Sequence, residues 1–163
     1  MARIIHTRAQ RLAAAKLRLR RKTFDRTTRE VSNDIQRIIL GGVDKKKGYT
    51  KTAKTIALKH DLPEKQAETI VKTETHEIRG VMQEIDFEQS DPSGKAKYRW
   101  LVISDSRKCE ICEAVGKRSK NGVNLQRLKE IIREEKIKAG MKNLDYEWTL
   151  HPRCRCVAQR VFK

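Results

Sequence analysis

All four cysteines of this chain fall in two short pieces. Cys109 and Cys112 form CEIC; Cys154 and Cys156 end HPRCRC, which His151 opens. No other feature limits the fold as strongly. Cys-x2-Cys lets two thiolates reach one ion while backbone amides support the sulfurs, and a second pair from elsewhere in the fold completes a tetrahedron. His151 with Cys154 has the short spacing for that second pair, and so has Cys154 with Cys156. Five donors therefore compete for four positions. The expected set is Cys109, Cys112, His151 and Cys154, with Cys156 as the alternative to His151, since a neutral imidazole limits the negative charge gathered on the ion. Thiolates with an imidazole favour zinc over calcium or magnesium. The protein ligands suffice to close the shell, so the zinc is expected to be structural. The 38 residues between Cys112 and His151 form a long loop that one ion would clip shut. Disulfides are disfavoured because no secretory signal is seen. A thioredoxin-like pair would leave the His151–Cys156 cluster unexplained.

Hydrophobic periodicity supplies the frame around these pieces. Residues 8–40 read as a helix with Phe24, Val31, Ile35, Ile38 and Ile39 on one face, stopped by Gly41 and Gly42. A polar loop, Asp44–Gly48, leads to a short helix over 51–60 with Ala53, Ile56 and Ala57 inward. Pro63 suits the first turn of the clearest helix of the chain. Its stripe is Ala67, Ile70, Val71, Ile78, Val81, Met82 and Ile85, with Glu74 completing it inside the word KTETHE. A carboxylate on a buried face needs a partner, and Arg155 or Arg99 is the expected one. SDPSG breaks the helix, and KYRWLVIS reads as a strand running into the CEIC turn. Asn124 caps a charged helix with Leu125, Leu128, Ile131 and Ile132 inward and Gly140 at its end; VAQRVF reads as a closing strand. The fold class is α+β: a helical N-terminal part, a long central helix and a small antiparallel sheet with a zinc-stapled knuckle. Residues 1–48 read as a basic helical arm and 49–163 as the domain bearing the metal site.

Charge separates the same two parts. The net charge is +17, and residues 1–60 hold 17 Lys and Arg against 4 Asp and Glu. The first 22 residues carry eight basic side chains and no acidic one. Such an asymmetry is the footprint of an anionic partner, above all nucleic acid. Lys and Arg would neutralise phosphates without reading bases. With eight aromatic residues in all, an extended stacking platform is not expected. The Arg-rich start has the look of a transit peptide or a membrane-surface helix, but its apolar stripe is mostly Ala, and no run approaches the ~20 apolar residues that span a bilayer.

Three words in order, IVKTETHEIR, KYRWLVISDSRKCEICEAVGK and LHPRCRC, resemble the phage Mu F-like head morphogenesis family over about residues 50–160. Thr73, Glu74, Thr75 and His76 match its TETH helix. Cys109, Cys112, Gly116 and Lys117 match its C-P-x-C turn with Gly-Lys, with Ile111 in place of the proline. His151, Pro152, Cys154, Arg155 and Cys156 match its final H-P-x-C-R-C, and Asn121–Asp145 is longer than the family pattern. The resemblance implies a minor head protein of a tailed virus, present in several copies inside the virion head. It would be associated with the portal or major capsid protein and would touch packaged DNA through the basic arm.

A catalytic role is not expected. Glu74 and His76, two residues apart on a helix, point in different directions and cannot act together on one atom. His76 reads as a surface histidine or one that supports the ligands from behind. No Gly-rich phosphate loop or magnesium carboxylate cluster is seen. The alternatives are a free zinc-stabilised nucleic-acid-binding protein and, behind it, a nuclease using Glu74.

Overall fold

The computed structural model describes residues 29–103, 109–141, 144 and 146–162. The expected arm, residues 1–48, lies outside the described residues up to residue 28. Among the described residues the chain is a mixed structure of five helices and one two-stranded antiparallel sheet. The helices are α1 (Arg29–Asp44), α2 (Tyr49–His60), α3 (Glu64–Ser90), α4 (Glu110–Ser119) and α5 (Leu125–Lys138). The strands are β1 (Lys97–Leu101) and β2 (Val157–Val161), in that sequence order around α4 and α5.

The N-terminal part is built by apolar stripes. α1 packs on α2 and α3, and α2 packs on α3. Ile35, Ile39 and Ile56 are fully buried there, with Ala53, Ala57, Ala67 and Val71 beside them. Each buried isoleucine contributes about 1.5–3 kcal/mol. Asp34 at the edge of this core receives Lys59, Arg37 and His60.

The expected stop at Gly41 and Gly42 is not where α1 ends. The helix runs through both and closes after Asp44, where Lys46 takes a left-handed φ of 52°. Lys47 N–H reaches the Gly42 carbonyl at 2.8 Å and Lys46 N–H the Val43 carbonyl at 3.3 Å, the Schellman pattern. Gly42 instead serves close packing, since a Cβ on it would come within 2.7 Å of Thr52 Oγ1 on α2.

α3 carries its expected stripe: Ala67, Val71, Ile78, Val81 and Ile85 are buried, and Ile70 and Met82 half-buried. Pro63 stands just ahead of it as the N-cap, and its carbonyl accepts Gln66 and Ala67 N–H. The sheet lies against the other end of the core. β1 and β2 pair with Trp100 opposite Ala158, and Tyr98, Trp100 and Ala158 point inward. α5 starts at Asn124, whose side chain accepts Arg127 N–H at 2.7 Å, and buries Leu128, Ile131 and Ile132. Gly140, left-handed at φ 67°, ends it as expected.

CEIC is not a turn after the strand. Cys109 is the N-cap of α4, and Cys112 sits in its first turn. α4 has few apolar residues facing in, chiefly Cys112 and Val115, so no stripe announced it. Gly116 lets α4 pass close under β1's end, for a Cβ there would meet Val102 Cγ2 at 2.6 Å.

Candidate metal centre

Two local structures deliver the donors. At the N-terminus of α4, Cys109 is extended (φ −121°, ψ 154°), and its sulfur accepts Cys112 N–H at 3.4 Å. The positive end of the helix dipole favours thiolates at this point. The second structure is a tight turn in which Cys154 N–H meets the His151 carbonyl at 3.1 Å and Arg153 adopts a left-handed φ of 59°. Thr73 of α3 holds that turn in place by accepting Arg153 N–H at 3.2 Å.

The turn brings its donors onto Cys112. His151 Nε2 lies 3.4 Å and Cys154 Sγ 3.8 Å from Cys112 Sγ. Cys109, Cys112 and His151 form one group of mutually close donor atoms; Cys112, Cys154 and Cys156 form another. Cys112 belongs to both. The four expected ligands and their alternative, Cys156, thus fall into two overlapping groups joined at Cys112, a cluster that could hold a metal ion, and none of the four cysteines is in a disulfide. The Pro152 carbonyl, 3.0 Å from His151 Nδ1, accepts a hydrogen bond from it. In the neutral ring that selects the tautomer whose Nε2 lone pair faces the sulfurs.

Electrostatics within the cluster are strongly polarised. The hydrogen bond from Cys112, and then that from Cys156, hold the Cys154 thiol far below its usual range. The same contact pushes Cys112 far up. His151, facing Cys154 and the Pro152 carbonyl, is raised to about 9. His76 of α3 also bears on Cys154, so it supports the cluster from the side.

Glu74 takes another direction from His76. It is 2% exposed and accepts the Tyr146 hydroxyl, while the guanidinium of Arg99, one of its two expected partners, is engaged with Gln159 at 2.9 and 3.0 Å. Glu77 and Glu84, not singled out from the sequence, are buried beside it. Glu77 accepts Glu147 N–H at 2.8 Å and Trp148 N–H at 3.0 Å. Glu84 accepts Trp148 Nε1–H at 3.0 Å and Lys129 Nζ at 2.7 Å. Three carboxylates of α3 therefore grip residues 146–148, which lead directly into HPRCRC. Gly80 lies between them, and a Cβ there would stand 2.3 Å from Trp148 Cβ. The signal in the sequence was a carboxylate within the apolar stripe at 74 and two more along one edge of it at 77 and 84.

The cluster opens onto a cleft of ≈ 640 Å³ between α3 and residues 151–158, where His76, Arg79 and Arg155 also lie. Among the described residues, no helix is long and apolar enough to cross a membrane. Compared with family models, curated proteins and solved structures, the chain matches none.

Proposed function

We propose that this chain is a non-enzymatic minor head protein of a tailed virus, of the Mu F-like head morphogenesis kind, stapled by one structural zinc. Several copies sit in the head interior or at the portal, against the portal or major capsid protein. The basic segment over residues 1–60 touches packaged DNA through its phosphates. The observation that carries this reading is the meeting of the three resembling words around one cluster: Thr73 bonds Arg153, His76 bears on Cys154, and Cys112 faces His151.

The donor set fits zinc. Bonds of about 2.3 Å to sulfur and about 2.0 Å to nitrogen separate two tetrahedral sulfurs by about 3.8 Å, and a sulfur from a nitrogen by about 3.5 Å. Cys112 Sγ stands 3.8 Å from Cys154 Sγ and 3.4 Å from His151 Nε2. Cys109, Cys112, His151 and Cys154 would hold the ion, which would supply folding energy and no chemistry, and Cys156 would remain as a buried thiol behind it.

Co-expression with the structural proteins of a tailed virus tests the reading. The expected result is co-purification with the portal or capsid protein and one zinc per chain. A monomer indifferent to both proteins would sink it. The +13 surplus of residues 1–60 also favours a second reading, a free zinc-stabilised nucleic-acid-binding protein. That reading requires DNA affinity that falls steeply with salt and vanishes on deletion of residues 1–22, with no viral partner.

A further inference from the structure

The two donor groups that share the Cys112 sulfur differ in kind. Cys109 and His151 are half-buried and bring one sulfur and one nitrogen to Cys112. Cys154 and Cys156 bring two sulfurs, and all three residues of this second group are buried, with exposures of 1%, 3% and 5% for Cys112, Cys154 and Cys156. The zinc reading leaves Cys156 idle, although it lies as deep in the fold as the sulfurs that zinc would use.

The second group has the shape of a three-coordinate site. Its sulfurs all lie within 4.8 Å of one another, and Cys112 Sγ stands 3.8 Å from Cys154 Sγ. At bonds of about 2.3 Å, three sulfurs around a central ion stand about 4 Å apart. Cys156 makes hydrogen-bonding contact with both Cys112 and Cys154, which closes the triangle. The Ile103 backbone also hydrogen-bonds Cys156, the kind of outer contact that orients a ligand.

We propose that Cys112, Cys154 and Cys156 form a second binding mode of the cluster, a trigonal three-sulfur site for a soft monovalent metal ion, the cuprous ion above all. Thiolates without nitrogen or oxygen donors select soft ions. Three ligands satisfy a cuprous ion, whereas structural zinc takes four. The two modes exclude each other, because both need the Cys112 and Cys154 sulfurs. Exchange of zinc for the softer ion frees Cys109 and His151 and engages Cys156. Three thiolates around one positive charge leave two negative units, and the N-terminus of α4, where Cys112 sits, offsets part of them. The inference rests on the cluster as a holder of metal, and neither on zinc as the resident ion nor on the viral reading.

Anaerobic titration of the reduced full chain with Cu(I), buffered by a bathocuproine chelator, tests the site. The unaltered chain should take one Cu(I), and X-ray absorption at the copper edge should show three sulfurs and no imidazole nitrogen. Cys156→Ser should weaken Cu(I) binding by about a hundredfold and leave the zinc content unchanged. His151→Ala should do the reverse, weakening zinc binding and holding Cu(I) affinity within about twofold. Circular dichroism checks the fold of each variant, and the copper-edge spectrum of the unaltered chain needs no variant. The proposal is overturned if the chain takes no Cu(I) from the chelator or if nitrogen appears in the copper shell. It is equally overturned if His151→Ala costs as much Cu(I) affinity as Cys156→Ser, which would make one four-donor site serve both ions. The expected copper results in a chain that binds no zinc would support the proposal and remove the zinc reading, so the two are told apart.

Discussion

The two ends of the molecule are held by opposite means. α1, α2 and the opening turns of α3, up to Val71, close over Ile35, Ile39 and Ile56 with no buried charge at the centre. From Glu74 onward, α3 meets residues 146–158 through three buried glutamates, a hydroxyl, an indole N–H and the cysteine–histidine cluster. Apolar packing tolerates an imperfect partner, because it has no direction and scales with area. The polar junction does not, because every buried donor must find its acceptor. The first end should therefore lose stability by degrees, and the second by whole connections.

The strongest way to break this contrast is at Cys112, the sulfur common to both donor groups. Cys112→Ser, or a chelator, should cost on the order of 5 kcal/mol or more if the ion is bound. Hydrogen exchange should rise in α4, β2 and residues 146–158 well before α1 and α2; uniform loosening would argue against a local staple. Next come two substitutions of similar size and different kind. Glu77→Ala strands the N–H groups of Glu147 and Trp148 and should cost about 3–5 kcal/mol. Ile56→Ala should cost about 2–5 kcal/mol through its cavity. Urea melts read both, and only Glu77→Ala should loosen the hold of the cysteine–histidine cluster on a metal ion along with stability.

Smaller effects sharpen the comparison. Gly80→Ala forces a methyl against Trp148 and should cost about 1–3 kcal/mol. Gly41→Ala, on an α1 site with nothing within 4 Å, should stabilise by up to about 1 kcal/mol. Equal signs for the two in thermal melts would deny that the polar junction is the tighter fit. The smallest effect is one of pH. Hydrogen bonds from Lys59, then Arg37 and His60, hold Asp34 well below the usual carboxylate range. Its contribution is present above the unfolded value near about pH 4 and fades as pH falls through the folded one. Asp34→Asn should flatten that acid limb of the stability curve, and an unchanged slope would show that the cluster at Asp34 adds nothing.

Much of the apolar end was legible. The stripes of α2, α3 and α5 follow the helical period, and Asn124 and Gly140 mark their helix ends by chemistry that acts within one turn. Gly41 and Gly42 misled, because a glycine demanded by a neighbouring helix looks in sequence like one demanded by a stop. α4 was missed for a related reason: its residues are chosen to present sulfurs and to pass under β1, not to make a stripe. At the candidate site, the spacing of the two cysteine words pointed to residues that the fold brings close together. The glutamate grip was only one-third visible, since Glu77 and Glu84 stand at the margin of the stripe, where a carboxylate ordinarily faces water. Residues 146–148, which justify their burial, lie too far along the chain for local periodicity to reveal.

That distance has a kinetic side. The bonds from α3 to residues 146–153 join positions 64 to 84 apart in sequence, whereas the N-terminal helices meet across short connections. Closing such long loops is slow because entropy is lost before contacts return it. In refolding, the helical end should therefore form first and wait for the C-terminal segment to arrive. The sulfurs would be the last parts to meet, and a metal ion that they hold would act on the final step of folding and not on the first.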